Sequence, residues 1–509
     1  MSILESQSKR QDRAAAINMS PEDFREIGHN LIDAIADFLK TMPEGKVTPS
    51  EEPVNVKALI DSKRPLPNEG SDPKELVARA AELMFNHSLF NGHPRFWGYI
   101  TASPAPIGML GDLLGAATNP NLGSWTLGPM ATEIELQTVR WISELIGYPT
   151  DCGGLLVSGG NMANFVGFLA ARRYQAKWNV REQGMNADNA KRLCVYSSAE
   201  THTWIQKAAD LFGLGTDVIR WIPTDESKRM RTDLLKKQIE LDLDAGSQPF
   251  LIVGTAGSVS TGAVDPLYKL AEISREYKMW FHVDGAYGGF AAKVKGVPTD
   301  LAGLSEADSV AVDPHKWLYA PIEAGCALVR KPEHLVDTFS YHPPYYHFDK
   351  TVVNFVDYGM QNSRGFRALK VWLALQQVGK NGYYQMISDD IRLAELLYRC
   401  VEAEPVLQAF SQGLSITTFR YVPSDLRARL GQPEVVEYLN KLNEEIMLGL
   451  EKSGAGFVSQ AIIEGNFALR ACIVNFRTSE GDIRTFPPLI VDLGKATDRK
   501  LRPMIGDSL

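Results

Sequence analysis

From about residue 152 onward, short apolar runs alternate with amphipathic stretches. The runs are Gly154–Val157, Cys194–Ser197, Val218–Trp221, Phe250–Thr255, Met279–Asp284, Ser309–Asp313 and Gly325–Val329. Each is short, and its consecutive apolar positions suit a strand buried on both faces. Between them, residues near 161–178, 202–212, 231–242, 266–277 and 300–305 read as helices. This alternation predicts an α/β domain with a mainly parallel seven-stranded sheet, helices covering both faces.

The flanks follow a different grammar. Ser20-Pro21-Glu22-Asp23 reads as a helix start: a serine cap, a proline in the first turn and acids at the positive end of the dipole. Phe24, Ile27, Leu31, Ile32, Ile35, Phe38 and Leu39 follow at helical spacing. That apolar face packs on its own core or on a second subunit. Helices are also expected at Val56–Ser62, Lys74–Asn86, Ile107–Ala117 and Met130–Leu145. The aromatic stretch His93–Ser103 fits either core or a shaped loop lining a pocket. Beyond Arg330 come a polar, aromatic loop (Tyr341–Val356), helices at Phe366–Val378 and Tyr383–Glu402, a strand at Leu414–Tyr421, a helix at Val435–Ser453, and strands at Gly456–Ser459 and Ala468–Phe476. Residues 485–509 read as a loose tail. Three parts result: an N-terminal helical segment (1–105), a large α/β domain (106–373) and a small α+β C-terminal domain (374–509).

Composition narrows the function classes. The 509 residues carry a net charge of −8, which argues against a nucleic-acid binder. The five cysteines are scattered and form no CxxC pair, so neither a disulfide framework nor a structural zinc site is expected. The first residues lack the apolar core of a signal peptide, and no run reaches the roughly 18 apolar residues of a membrane span. The expected compartment is the cytoplasm, with no membrane partner.

Ligands of open α/β sheets bind beyond the carboxyl ends of the strands. There the chain places Ser158-Gly159-Gly160-Asn161, a small-residue turn opening a helix, which suits either an anion or a plain tight turn. His202 and Thr255 stand at two further ends. Asp284 ends a strand that should be buried, where an unpaired carboxylate is expensive and needs a metal, an arginine or a protonated ring nitrogen. No His/Cys/Asp cluster nearby completes a metal shell, so the ring nitrogen gains weight. Ala286, two residues on, is small enough to lie against a ring. Lys316, in Asp313-Pro314-His315-Lys316-Trp317, taken alone is an ordinary surface lysine. An amine held between buried strands costs more to keep charged and becomes a usable nucleophile. A lysine, an acid and an anion site on one crevice are what a protein contributes to pyridoxal phosphate chemistry.

At these residues the chain resembles the group II pyridoxal-phosphate-dependent amino-acid decarboxylases, by pattern most of all the aromatic-L-amino-acid decarboxylases. His282-Val283-Asp284-Gly285-Ala286-Tyr287 followed by Asp313-Pro314-His315-Lys316-Trp317 carries the likeness. It extends through Phe24–Leu39, His93–Ser103, Ser124–Glu135 and Arg367-Ala368-Leu369-Lys370, and weakens after about residue 400. The resemblance implies the PLP-dependent transferase-like fold type I, and a homodimer with the N-terminal segment packed on its partner and a shared active site. It implies Lys316 as the Schiff-base lysine, Asp284 as partner of the pyridine nitrogen, His202 and Ala286 on opposite faces of the ring, and Gly160, Asn161 and His315 at the phosphate, with Asp313 beside it. It further implies Thr255 near the cofactor or the substrate carboxylate, and Tyr345, or the adjacent Tyr346, as the loop tyrosine that protonates Cα. Tyr99, Thr101, Trp125 and Arg470 are the candidates for the substrate side.

Three positions depart from the family pattern. Asp313 replaces the asparagine that many relatives carry, Ser158–Asn164 differs from the Ser-Ala-Ser type of phosphate turn, and Gly365 falls where relatives often have an arginine. The implied activity is decarboxylation of an L-amino acid, in the first place an aromatic one, to the amine and CO₂. The alternatives are a non-aromatic substrate such as glutamate or diaminobutyrate, or an aldehyde synthase that couples decarboxylation to oxidative deamination. An aminotransferase and a non-enzymatic interaction protein are the further classes. Retention of His202 and Tyr345 favours the simple decarboxylase.

Overall fold

A computed structural model describes residues 15–343, 349 and 351–502. It falls into two compact units that divide between Phe90 and Asn91. In the first, Ser20 caps the Pro21–Thr41 helix by accepting from the Asp23 amide at 3.0 Å. Phe38 of this helix stacks on Phe85 of the Pro73–Asn86 helix at 4.6 Å. Neither helix buries any residue fully.

The second unit holds two sheets. Its strands are β1 (Phe96–Trp97), β2 (Gly153–Val157), β3 (Leu193–Ser198), β4 (Ile219–Ile222), β5 (Gln248–Thr255), β6 (Trp280–Asp284), β7 (Ser309–Val312), β8 (Gly325–Val329), β9 (Leu407–Gly413), β10 (Ile416–Tyr421), β11 (Phe457–Ile463) and β12 (Asn466–Cys472). The seven-stranded sheet runs in the order β2-β8-β7-β6-β5-β3-β4. The β7–β6, β6–β5, β5–β3 and β3–β4 pairs are parallel; β8 is antiparallel to both its neighbours.

Alternating side chains of each strand enter opposite cores. Leu156, Ile252 and Phe281 join one apolar cluster; Leu155, Val157, Leu251 and Trp280 join the other. Burial on both faces explains why these strands read as unbroken apolar runs. The Gly160–Gln175 helix covers one face. Gly167 lets it approach closely, since a Cβ there would meet His282 Nδ1 at 2.6 Å.

The five-stranded sheet runs β1-β11-β12-β10-β9, antiparallel except for the β1–β11 edge. The aromatic stretch thus supplies an edge strand: Phe96 and Trp97 are buried, and Phe96 stacks on Phe457 at 5.2 Å. The helical run Ala368–Glu402 is broken at Gly379, whose φ of 68° separates the two expected helices.

The expected loose tail is corrected. Glu480–Leu501 is a helix, begun by a capping box between Ser479 and Asp482. Ile483, Phe486, Ile490 and Val491 are buried at helical spacing. Pro487 and Pro488 lie within it and disguised it. Residues 503–509, the rest of that expected tail, lie outside the described residues. The 300–305 helix is a 3₁₀ segment, Thr299–Glu306.

Candidate active site

The strand ends of the large sheet converge as their residue types require. A cavity of about 320 Å³ is lined by Gly160 and Asn161 after β2, His202 after β3, Thr255 at the end of β5, Asp284 and Ala286 at β6, and Asp313, His315 and Lys316 after β7. Nine of the residues expected at the cofactor are therefore brought together.

Asp284 is buried, and both its oxygens are held. Trp204 Nε1 donates to Oδ2 at 2.7 Å and the Ala286 amide donates to Oδ1 at 3.2 Å. Behind them His282 is fully buried between Ser309 Oγ and Asn164 Oδ1, each at 2.7 Å. Burial pushes its imidazole down to about 4, so it stays neutral and serves as a spacer under Asp284.

Asp313 is arranged differently. It is 2% exposed, its Oδ2 lies 3.1 Å from Lys316 Nζ and 3.7 Å from His315 Nε2, and its Oδ1 has no hydrogen-bond partner. His315 Nδ1 lies 2.7 Å from the Ala324 carbonyl oxygen and 3.2 Å from the Ala324 amide, which turns Nε2 toward Asp313. Burial lowers the imidazole pKa of His315, with the Asp313 carboxylate opposing.

The glycine turn fits around that carboxylate. Gly159 has φ 119° and ψ 178°, a backbone that side chains avoid. A Cβ on Gly160 would stand 2.7 Å from Asp313 Oδ2 and 3.1 Å from Ala286 Cβ. The first amides of the helix that Gly160 opens have no acceptor within it, and they start at the cavity wall.

His202 opens onto the cavity and is exposed by surface area, yet protein crowds its other sides. The crowding decides its charge: burial lowers its pKa, and Lys316 adds to this while Asp284 and Asp313 oppose it. Thr255 is fixed from behind by Asp265, whose Oδ2 accepts from the Thr255 amide at 2.8 Å.

Four expected substrate residues do not line this cavity: Tyr99, Thr101, Trp125 and Arg470. Tyr99 is 61% exposed. Trp125 Nε1 donates to Glu133 at 2.8 Å. Arg470 is buried and donates to the carbonyls of Val259 and Tyr99 and to Ser459 Oγ, so it holds the rim together from beneath. Tyr345 and Tyr346 lie outside the described residues.

Sequence reasoning missed three supports. Trp204 falls inside the helix expected at 202–212. Tyr287 stacks on Trp317 at 4.7 Å. Asp390 accepts from Trp317 Nε1 at 3.0 Å and Tyr319 Oη at 2.6 Å, tying the Lys316 loop to the Ala368–Glu402 helix. The available signal was the buried aromatic ends themselves, since an indole N–H or phenol that is buried requires an acceptor.

The profile of the pyridoxal-dependent decarboxylase conserved domain matches residues 53–422. An aromatic-L-amino-acid decarboxylase of Bacillus atrophaeus is 33% identical over 472 residues, covering 91% of this chain and 94% of its own. A phenylacetaldehyde synthase of a Rosa hybrid cultivar is 28% identical over 478 residues, 91% and 92% of the two chains. The crystal structure of mouse CSAD in apo form superposes with a TM-score of 0.87 at 25% identity, covering 93% of this chain and 99% of that one. The glycine turn, the lysine and the braced carboxylate on one cavity fit pyridoxal 5'-phosphate. By profile, sequence and fold together, the chain belongs to the pyridoxal-dependent decarboxylase family.

Proposed function

We propose that this enzyme decarboxylates an aromatic L-amino acid to the corresponding amine and CO₂. The observation that carries the reading is the meeting of Lys316, Asp284, His202 and the Gly159-Gly160 turn on one cavity. Its likeness to the Bacillus atrophaeus enzyme supports the substrate class.

Lys316 is the residue that holds the cofactor covalently. Asp284 would partner its ring nitrogen, Ala286 would leave room for the ring, and Gly160, Asn161 and His315 would receive the phosphate. Bound pyridoxal phosphate supplies the electron sink for the bond broken at Cα. The chain supplies placement. His202, whose imidazole burial keeps toward the neutral form, and Thr255 line the cavity and would orient the substrate there. Tyr345, or Tyr346 beside it, would give a proton to Cα after CO₂ leaves. Asp313 Oδ2, 3.1 Å from Lys316 Nζ, holds that side chain in place while no cofactor is attached to it.

The partner reading is a homodimer. Leu110, Leu113 and Leu114, on the Pro106–Thr118 helix, and Leu127 and Met130 just after it are all more than half exposed. The Pro21–Thr41 helix has an apolar face and no buried residue. Cytoplasmic location is supported by five free cysteines.

The test is product analysis with a panel of amino acids. Equal CO₂ and amine from an aromatic substrate is the expected result. A second reading, an aldehyde synthase, is favoured by the likeness to the rose enzyme. Aldehyde with peroxide as the main products would establish it and overturn the decarboxylase.

A further inference from the structure

We infer that Trp204 is a positioning residue for the cofactor, acting through Asp284. The inference rests on the reading of Asp284 as partner of the ring nitrogen. Trp204 is fully buried, and its Nε1 donates to Asp284 Oδ2 at 2.7 Å. The indole cannot turn away. Phe168 meets it edge-on at 6.5 Å, and His282 meets it edge-on at 5.6 Å. His282 is itself pinned by Ser309 and Asn164. The Ala286 amide takes the other oxygen of Asp284 at 3.2 Å. Each oxygen thus spends one acceptor site on the protein, and the carboxylate plane is fixed before any ligand arrives. What remains of the carboxylate faces the cavity.

The opposing interpretation is that Asp284 only satisfies a buried indole. The two differ in what the loss of the N–H does. If Trp204 acts on the cofactor through Asp284, Trp204→Phe should weaken pyridoxal phosphate binding about tenfold, since hydrogen bonds to charged groups are worth that much or more. It should also lower kcat with little change in KM for the amino acid. In an Asp284→Asn background the same change should have almost no further effect.

The experiment titrates cofactor-free wild type, Trp204→Phe, Asp284→Asn and the double variant with pyridoxal phosphate, followed by the absorbance of the bound cofactor. Non-additive losses support the inference. Equal fold-losses in both backgrounds, or wild-type affinity and spectrum in Trp204→Phe, overturn it. If Asp284→Asn itself binds with wild-type affinity and spectrum, the reading of Asp284 fails and the inference with it, and that outcome is visible separately. Should Trp204→Phe not fold, the indole N–H signals of the nine tryptophans are compared between wild type and Asp284→Asn labelled with ¹⁵N-tryptophan, before and after cofactor is added. One strongly shifted indole signal that moves on the substitution and again when wild type binds cofactor supports the inference. A set of indole signals that cofactor leaves unmoved overturns it.

Discussion

The two sheets of the second unit solve opposite problems. In the seven-stranded sheet, four parallel pairs bring strand ends to the same side, so polar residues just past apolar runs gather in one cavity. In the five-stranded sheet, antiparallel pairing sends successive ends to opposite sides, and its buried polar groups tie strands and loops instead. Arg470 of β12 shows this: its guanidinium bonds Val259, Tyr99 and Ser459. A buried charge past a parallel strand is thus a candidate for chemistry, and one within an antiparallel strand a candidate for support.

The sharpest way to break that contrast is at Lys316. Lys316→Ala should lower decarboxylation by roughly 10⁴-fold, the upper range for one positioned group, and remove the lysine-bound cofactor absorbance while the fold persists by circular dichroism. Next is Gly160→Ala, which places a Cβ 2.7 Å from Asp313 Oδ2. Cofactor affinity should fall about tenfold, since the neighbours can shift only in part, as measured by titration of the cofactor-free protein.

Arg470→Met probes the other sheet. It should cost about 2 kcal/mol of stability from the carbonyls left unpaired, read by urea unfolding. Cofactor affinity should change less than in Gly160→Ala. A pH dependence completes the contrast. Burial raises Asp390 to about 7, above its unfolded value, so the unfolded chain loses this proton first as pH rises. Below the unfolded pKa, near 4, both states hold the proton and Asp390 carries no penalty. Between about 4 and 7 its contribution to stability falls, and above that it stays low. Asp390→Asn should flatten this slope, checked by unfolding midpoints at pH 5 and pH 8.

The large sheet was legible because burial on both faces leaves a plain apolar signature. All seven strands lie within two residues of the expected bounds. The edge strand β9 escaped because it is only half buried, with Gln408, Ser411 and Gln412 interrupting its pattern. The cofactor residues were legible because strand-end position and residue type together limit their roles. Their supports were not, because Trp204 and Asp390 meet Asp284 and Trp317 across 80 and 73 positions of chain. Spacing along the sequence carries no trace of such a meeting. The substrate side was read from aromatic density, a signal that Trp97 and Phe96 answer by packing in the core.

Gly160, Ala286 and Asp313 occupy one another's space: a methyl group at the first would press on both of the others. Their evolutionary freedom is therefore joint. A lineage that enlarges position 160 must first retract the side chain at 313, and an asparagine there, with almost the same volume as aspartate, would give no relief. Substitutions at these three sites should be tolerated in a fixed order, which makes the trio a place where the history of the family would show as epistasis.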